Sequence, residues 1–188
     1  YPKRNLLSQK YGVKKDEVLI FSPRGLVPLY NIDIIVEALN KLLIDGFNVK
    51  CMFSYAFGDE YSEKIKTKIR NYGFENNVIW LGSLSYAEMA DHYNAADIVV
   101  SIPSSDSSPK SVYEAMFCRK PVIVTDLDWC HELLNNSDCI ELVPVRDVDK
   151  TYYAIKNLIQ NNEYRHTISE NAYHEAFRYF SYQENMKK

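Results

Sequence analysis

The chain has 188 residues, of which 46% are hydrophobic and 25% are charged, and its formal net charge at pH 7 is -3. This length and composition are typical of one globular domain with a substantial core. The slightly acidic balance and the lack of a basic stripe argue against a general nucleic-acid-binding protein, and no apolar stretch reaches the roughly 18 residues that a membrane-spanning helix requires.

Short apolar runs alternate with amphipathic stretches along the chain, which predicts strands that alternate with helices. Strands are predicted at residues 18–21, 48–55, 77–81, 98–100, 121–125 and 139–143. Helices are predicted at residues 32–44, 60–72, 85–93, 109–118, 129–134, 148–160 and 162–179. The predicted fold class is therefore α/β, a Rossmann-like three-layer α/β/α domain with a mostly parallel sheet of about six strands. It is expected to cover residues 15–188, after a linker or leading helix at residues 1–14.

Local signals predict where several helices begin and end. Asp45-Gly46 ends the first predicted helix, and Ser85 with Glu88 three residues later forms a capping box. Pro109 is a residue type favoured in the first turn of a helix.

The four cysteines form no CxxC pair and lie in or beside apolar segments: Cys51, Cys118, Cys130 and Cys139. Cys51 and Cys118 are interpreted as small buried side chains, and the cysteine pattern favours a reduced, cytoplasmic setting. The sequence begins without an initiator methionine, so we expect a fragment of a longer protein or a processed chain.

Ligands of parallel α/β sheets bind beyond the carboxyl ends of the strands, which directs attention to residues 22–31, 81–85 and 101–110. In the first of these loops Arg24 stands beside Gly25, which permits close backbone approach. A guanidinium at this position can bind phosphate oxygens in bidentate fashion. A surface arginine in a turn is the simpler alternative.

The last of these loops leads into the helix predicted to begin near Pro109. Backbone N–H groups at a helix N-terminus bind anions, but proline lacks this donor. Lys110, Ser111 and the hydroxyls of Ser107 and Ser108 are therefore expected to contribute more.

Two acids flank the start of this helix. Asp106 and Glu114 are eight residues apart, separated by loop and two helical turns, and can face opposite ends of one ligand. The alternative is a capped helix in which Asp106 is a solvated loop residue.

Several segments together resemble glycosyltransferase family 4. Residues 22–33 are similar to the phosphate-binding loop of that family, and four further segments follow its order and spacing: 77–82, 93–98, 114–118 and 121–126. The resemblance covers residues 15–180, which is nearly the whole chain.

The resemblance implies a retaining enzyme of the two-domain GT-B architecture, of which this chain is the C-terminal, donor-binding half. It implies transfer of a hexose from a UDP- or GDP-linked sugar to a saccharide or lipid-linked acceptor in cell-surface glycan biosynthesis. The acceptor would bind to an N-terminal domain that these residues do not contain, in a cytoplasmic protein with peripheral contact at the inner face of the membrane. Neither a metal ion nor a nucleic-acid partner is expected.

The same resemblance assigns roles to individual residues. Asp106 would lie by the transferred sugar, Glu114 would bind the ribose hydroxyls, and Leu84 would border the base. Asp106 and Arg24 are then the predicted catalytic residues. The predicted donor-binding residues are Arg24, Gly25, Leu84, Ser107, Ser108, Lys110, Ser111 and Glu114.

Two positions depart from the pattern of the family. Asp106 stands where a glutamate is usual, and Tyr30 stands where a lysine normally accompanies the arginine. We hypothesise that Lys110 supplies the missing charge from the opposite loop. The two departures also keep open a different class of function, a non-catalytic nucleotide-sugar-binding or assembly module.

Other sequence motifs give little support for a metal site or a dinucleotide site. Asp126-Leu127-Asp128 matches the DxD pattern of metal-dependent transferases, yet it falls where the family has a plain turn after a strand. No Gly-x-Gly-x-x-Gly occurs, which argues against a nicotinamide site. The first loop is also not glycine-rich, which argues against other dinucleotide-binding Rossmann domains such as sugar epimerases.

Overall fold

The computed structural model of the chain describes residues 2–54, 60–134 and 137–180. Tyr55, the predicted end of the second strand, lies outside the described residues. So do residue 1 and residues 181–188, the two ends of the predicted domain organisation.

Six parallel strands form one sheet, which confirms the predicted α/β class. The strands are β1 Val18–Ser22, β2 Val49–Ser54, β3 Val78–Gly82, β4 Ile98–Ser101, β5 Val122–Thr125 and β6 Glu141–Val143. Their order across the sheet is β3-β2-β1-β4-β5-β6, and each neighbouring pair is parallel. The chain therefore winds outward in one direction from β1 and then in the other direction from β4.

Helices connect the strands and cover both faces of the sheet. They are α1 Pro2–Tyr11, α2 Ile32–Ile44, α3 Glu60–Tyr72, α4 Tyr86–Ala95, α5 Lys110–Phe117, α6 Asp128–Leu133, α7 Val148–Gln160 and α8 Asn162–Phe180. Short 3-10 turns lie at Pro28–Tyr30, Glu75–Asn77 and Ser137–Cys139. No helix in the part of the chain that the structure describes is long and apolar enough to cross a bilayer.

Successive residues of a strand point to opposite faces, so each central strand contributes to two separate cores. In β1, Ile20 belongs to the core beneath α2, α3 and α7, whereas Phe21 belongs to the core beneath α4, α5 and α8. Both side chains are fully buried, as expected for parallel strands that are covered on both faces.

The capping box at the start of α4 is confirmed. The Ser85 side chain accepts from the backbone N–H of Glu88, and the Glu88 carboxylate accepts from the backbone N–H of Ser85 at 2.8 Å. This reciprocal pair satisfies two donors that a helix start otherwise leaves unpaired.

Several predicted boundaries differ from the structure by one or two residues, and two of them concern the start of α5 and the start of the last strand. Pro109 precedes α5 as its N-cap, with an extended backbone at ψ 101, and the helix begins at Lys110. Cys139 ends a 3-10 turn, and β6 begins only at Glu141. The apolar run that includes Cys139 and Ile140 is buried against the core but is not paired as a strand before residue 141.

The strand order determines where a ligand site can form. The connections from β1 and β4 leave in opposite directions across the sheet, although β1 and β4 are neighbours. The loops that follow these two strands therefore meet at one edge of the sheet, at the crevice position where parallel α/β sheets bind ligands.

Candidate functional site

Arg24 and Asp106 form an ion pair across the crevice between the β1 and β4 loops. Arg24 Nη2 lies 2.9 Å from Asp106 Oδ2, and Arg24 Nη1 donates to Ser111 Oγ at 3.1 Å. The two charged side chains are largely but not fully buried, with 17% and 15% of their surface exposed. Arg24 therefore contacts directly two of the residues that the sequence placed with it on one ligand.

Tyr30 supports the guanidinium of Arg24 from its face. The Cζ atom of Arg24 lies 4.2 Å from the centre of the Tyr30 ring, within the range of a cation–π contact. The bonds to Asp106 and Ser111 use two of the five N–H donors of the guanidinium. Arg24 is thus oriented from three directions and keeps further donors for an oxygen ligand.

Asn31 fastens the two loops together beneath this ion pair. It is fully buried in a left-handed conformation with φ 51, which asparagine tolerates better than most residues. Its Nδ2 donates to the Ile102 carbonyl at 2.8 Å and to Ser104 Oγ at 3.0 Å. The backbone N–H of Ser104 donates to the Leu29 carbonyl at 2.8 Å, so backbone and side chains join the same loops.

Arg146 extends this network to the loop after β6, and the sequence reasoning missed it. Its Nη1 donates to Asn31 Oδ1 at 2.8 Å, and its Nη2 pairs with Asp33 at 2.7 Å. Arg146 has φ 57, a strained value for a residue with a Cβ. The signal that could have revealed it is the one used for Arg24, a cation just beyond a buried strand.

The start of α5 faces the same crevice. The first N–H that bonds within this helix is that of Val112, which donates to the Pro109 carbonyl at 3.0 Å. The N–H groups of Lys110 and Ser111 precede it and have no acceptor within the helix. Because the Ser111 side chain accepts a hydrogen bond from Arg24, the start of α5 and the guanidinium lie side by side and can bind the same ligand.

Four further residues of the predicted site lie in the two loops or at the first position of α5. Ser107 and Ser108 are exposed on the loop, and the Ser107 N–H donates to Asp106 Oδ1 at 2.9 Å. Lys110 is exposed at the first position of α5. A Cβ added at Gly25 would meet no atom within 4 Å, so the space beside Gly25 is open.

Leu84 and Glu114 lie beside α4. Leu84 is half-buried just before the α4 cap and packs against the core beneath α4 and α5. Glu114 accepts a hydrogen bond from the Tyr93 hydroxyl at 3.1 Å. A cavity of about 170 Å³ lies between α4 and α5, with Tyr93 and Glu114 in its wall.

The DxD-like segment has a local partner. Asp126 Oδ1 lies 2.6 Å from His131 Nε2, and Asp128 is the first residue of α6. Among residues 2–54, 60–134 and 137–180, no three or more His, Cys, Asp or Glu side chains form a group suited to a metal ion.

Comparison with known proteins identifies one family. Residues 3–175 match the family model described as "Glycosyl transferases group 1". An uncharacterized glycosyltransferase of Methanocaldococcus jannaschii is 28% identical over 150 residues, covering 78% of this chain and 40% of that protein. An alpha-monoglucosyldiacylglycerol synthase of Streptococcus pneumoniae is 24% identical over 131 residues, covering 69% of this chain and 29% of that protein.

Solved structures share the fold. The Anabaena protein HepE, crystallised with UDP and glucose, superposes with a TM-score of 0.87 at 22% identity, covering 99% of this chain and 50% of HepE. The C-terminal domain of a group 1 glycosyl transferase from Francisella tularensis superposes with a TM-score of 0.81 at 19% identity, covering 96% of this chain and 94% of that domain. The chain thus spans half or less of the longer proteins that it resembles.

Replacement of Asn31 by glycine tests whether this residue holds the two loops together. Glycine accepts the left-handed backbone but removes the bonds to Ile102, Ser104 and Arg146. We expect Asn31→Gly to lower the free energy of unfolding by about 2 kcal/mol in urea titrations, because buried polar groups lose their partners. The control Asn161→Gly changes an exposed helix-capping asparagine and should cost a few tenths of a kcal/mol. Equal stability of Asn31→Gly and the parent chain would contradict this role.

Proposed function

The chain belongs to the family of group 1 glycosyl transferases, and on that basis we propose that it is the donor-binding half of a retaining enzyme. The enzyme would transfer a hexose from a nucleoside-diphosphate sugar to a saccharide or lipid-linked acceptor. The observation that carries this proposal is the convergence of Arg24, Asp106 and Ser111 at the start of α5.

This convergence suits a diphosphate. A guanidinium binds phosphate oxygens through charge-assisted hydrogen bonds, and the N-terminus of a helix carries partial positive charge. Arg24 supplies the guanidinium, and the first N–H groups of α5 supply the helix N-terminus. Both lie near the open space at Gly25. The HepE complexes with UDP and with UDP-glucose favour a uridine donor for this chain as well.

Transfer breaks the bond between the anomeric carbon and a phosphate oxygen, and negative charge grows on the departing diphosphate. Donors that are already oriented toward this charge stabilise the transition state more than the ground state. Arg24 fulfils this condition because Tyr30, Ser111 and Asp106 hold it in place before the donor arrives. Phosphate oxygens then compete with Asp106 for Arg24, and the released carboxylate orients the sugar hydroxyls.

Two relatives support the proposed acceptor and cellular setting. The pneumococcal relative is named for a monoglucosyldiacylglycerol, which supports a hexose and a lipid-linked acceptor. WaaG, with a TM-score of 0.80 at 18% identity, is described as a glycosyltransferase involved in lipopolysaccharide biosynthesis, which supports cell-surface glycan biosynthesis. An acceptor-binding half outside these residues would work at the cytoplasmic face of the membrane.

A non-catalytic nucleotide-sugar-binding module is the second candidate function. It is favoured by the ion pair that engages Asp106, the expected sugar-orienting acid, with Arg24. Such a module would bind the donor but would not turn it over.

Alanine variants of the two candidate cations test how the diphosphate is held. We expect Arg24→Ala to weaken UDP binding at least tenfold in calorimetric titrations, because charge-assisted bonds to phosphate are lost. Lys110→Ala should weaken binding about threefold if its exposed ammonium reaches the phosphates. Lys64→Ala, an exposed lysine paired with Glu60 on α3, is the control. An unchanged affinity of Lys110→Ala would refute the hypothesis that Lys110 replaces the missing lysine.

The Asp106→Asn variant of the full-length protein separates an enzyme from a binding module. We expect it to reduce the rate of sugar transfer by about 100-fold while UDP binding persists, because the sugar loses its carboxylate whereas Tyr30 and Ser111 still orient Arg24. Asp106→Glu, which restores the family's usual acid, should retain more activity than Asp106→Asn. A parent protein that binds UDP-sugar but transfers nothing to any acceptor would favour the binding module.

Metal removal tests the proposal that this chain binds the diphosphate without a metal ion. We expect EDTA to leave the affinity of the chain for UDP unchanged, because Arg24 and the α5 start would supply the positive charge. Titrations with and without added Mg²⁺ measure this. A loss of binding in EDTA that Mg²⁺ restores would contradict the proposal.

A further inference from the structure

Glu114 is held from the neighbouring helix by a hydroxyl group. Glu114 lies on α5, and its Oε2 accepts from the hydroxyl of Tyr93, near the end of α4, at 3.1 Å. A carboxylate oxygen accepts about two hydrogen bonds, so the Tyr93 contact occupies part of Oε2 and leaves Oε1 available. The carboxylate therefore has one fixed edge and one edge that can bind a ligand.

Tyr93 is suited to fix this carboxylate because its own ring is immobilised. Only 1% of Tyr93 is exposed, and its ring meets Phe21 of β1 edge to face at a centroid distance of 5.2 Å. Burial and the nearby Glu114 carboxylate raise the pKa of Tyr93 well above its ordinary value. The phenol therefore remains protonated and acts as a donor to Glu114 throughout the physiological pH range.

Helix α4 links this contact to the loop expected to border the nucleotide base. The capping box of Ser85 and Glu88 fixes the start of α4 directly after Leu84. The same helix carries Tyr93 two turns later, so one rigid element runs from that loop to Glu114. Apolar groups of Met89 and Phe117 line the cavity beside the hydrogen bond between Tyr93 and Glu114. They limit the access of water, which would otherwise compete for this hydrogen bond.

We propose that Tyr93 is a positioning residue for nucleoside recognition, which holds the Glu114 carboxylate in the orientation that binds the ribose hydroxyls of the donor. This inference rests on the proposed function, because Glu114 is assigned there to the ribose. Tyr93 itself does not touch the donor; its hydroxyl acts through Glu114.

The chain provides a matched control, a second buried tyrosine on α5, the helix of Glu114. Tyr113 precedes Glu114, is 3% exposed and packs against the ring of Tyr179. Its hydroxyl is buried and has no hydrogen-bond partner among the residues that the structure describes. Tyr113→Phe and Tyr93→Phe therefore remove the same atom from buried tyrosines near Glu114, but only Tyr93→Phe removes a bond to that carboxylate.

The test compares UDP with 2′,3′-dideoxy-UDP, which lacks both ribose hydroxyls, in calorimetric titrations of the full chain. The parent chain should prefer UDP by about tenfold or more, because hydrogen bonds to a carboxylate are lost with the hydroxyls. Tyr93→Phe should reduce this preference by about fivefold by weakening UDP alone, with the affinity for the dideoxy nucleotide unchanged. Tyr113→Phe should keep the full preference.

Each result decides a different point. A parent chain without preference for UDP would refute the ribose role of Glu114 and the proposal with it. A preference that survives intact in Tyr93→Phe would overturn the positioning role alone. If Tyr93→Phe does not fold, Phe21→Leu provides the second test, since it loosens the Tyr93 ring and keeps the hydroxyl. It should lower the preference for UDP, and an unchanged preference would overturn the proposal.

Discussion

The ion pair between Arg24 and Asp106 is the contact on which the site depends. It joins the loops after two neighbouring parallel strands whose connections run in opposite directions, and this strand order brings the two side chains together. The pair keeps a cation within a largely buried crevice at acceptable electrostatic cost, since an isolated buried charge would be strongly unfavourable. In the function that we propose, donor binding exchanges the Asp106 carboxylate for the diphosphate on a preformed cation.

Tyr30 shows how the site differs from the pattern that the sequence resembles. A second cation at this position would add charge, whereas the tyrosine adds a surface that orients the cation already present. A fixed guanidinium loses less conformational entropy when it binds an oxygen ligand, which favours precise positioning over total charge. The buried Asn31 beneath it serves the same end by joining the loops that carry Arg24 and Asp106.

The sequence was sufficient for the fold and for the convergence of the site, because both follow from patterns. Alternating apolar runs and amphipathic stretches require a layered α/β sheet, and the carboxyl ends of parallel strands meet at one edge. The contacts of Arg146 with Asn31 and of Tyr93 with Glu114 could not be predicted, because they depend on side-chain orientation, which the position of a residue after a strand or on a helix does not determine. The boundary at Cys139 was missed because an apolar run has the same pattern whether it pairs as a strand or only packs.

A crystal structure of this chain with bound UDP tests the shared pyrophosphate site most directly. We expect diphosphate oxygens about 3 Å from the Arg24 guanidinium and from the first N–H groups of α5, with the Asp106 carboxylate displaced from Arg24. A diphosphate bound elsewhere, with the ion pair of Arg24 and Asp106 intact and solvent at the start of α5, would contradict this view of the site.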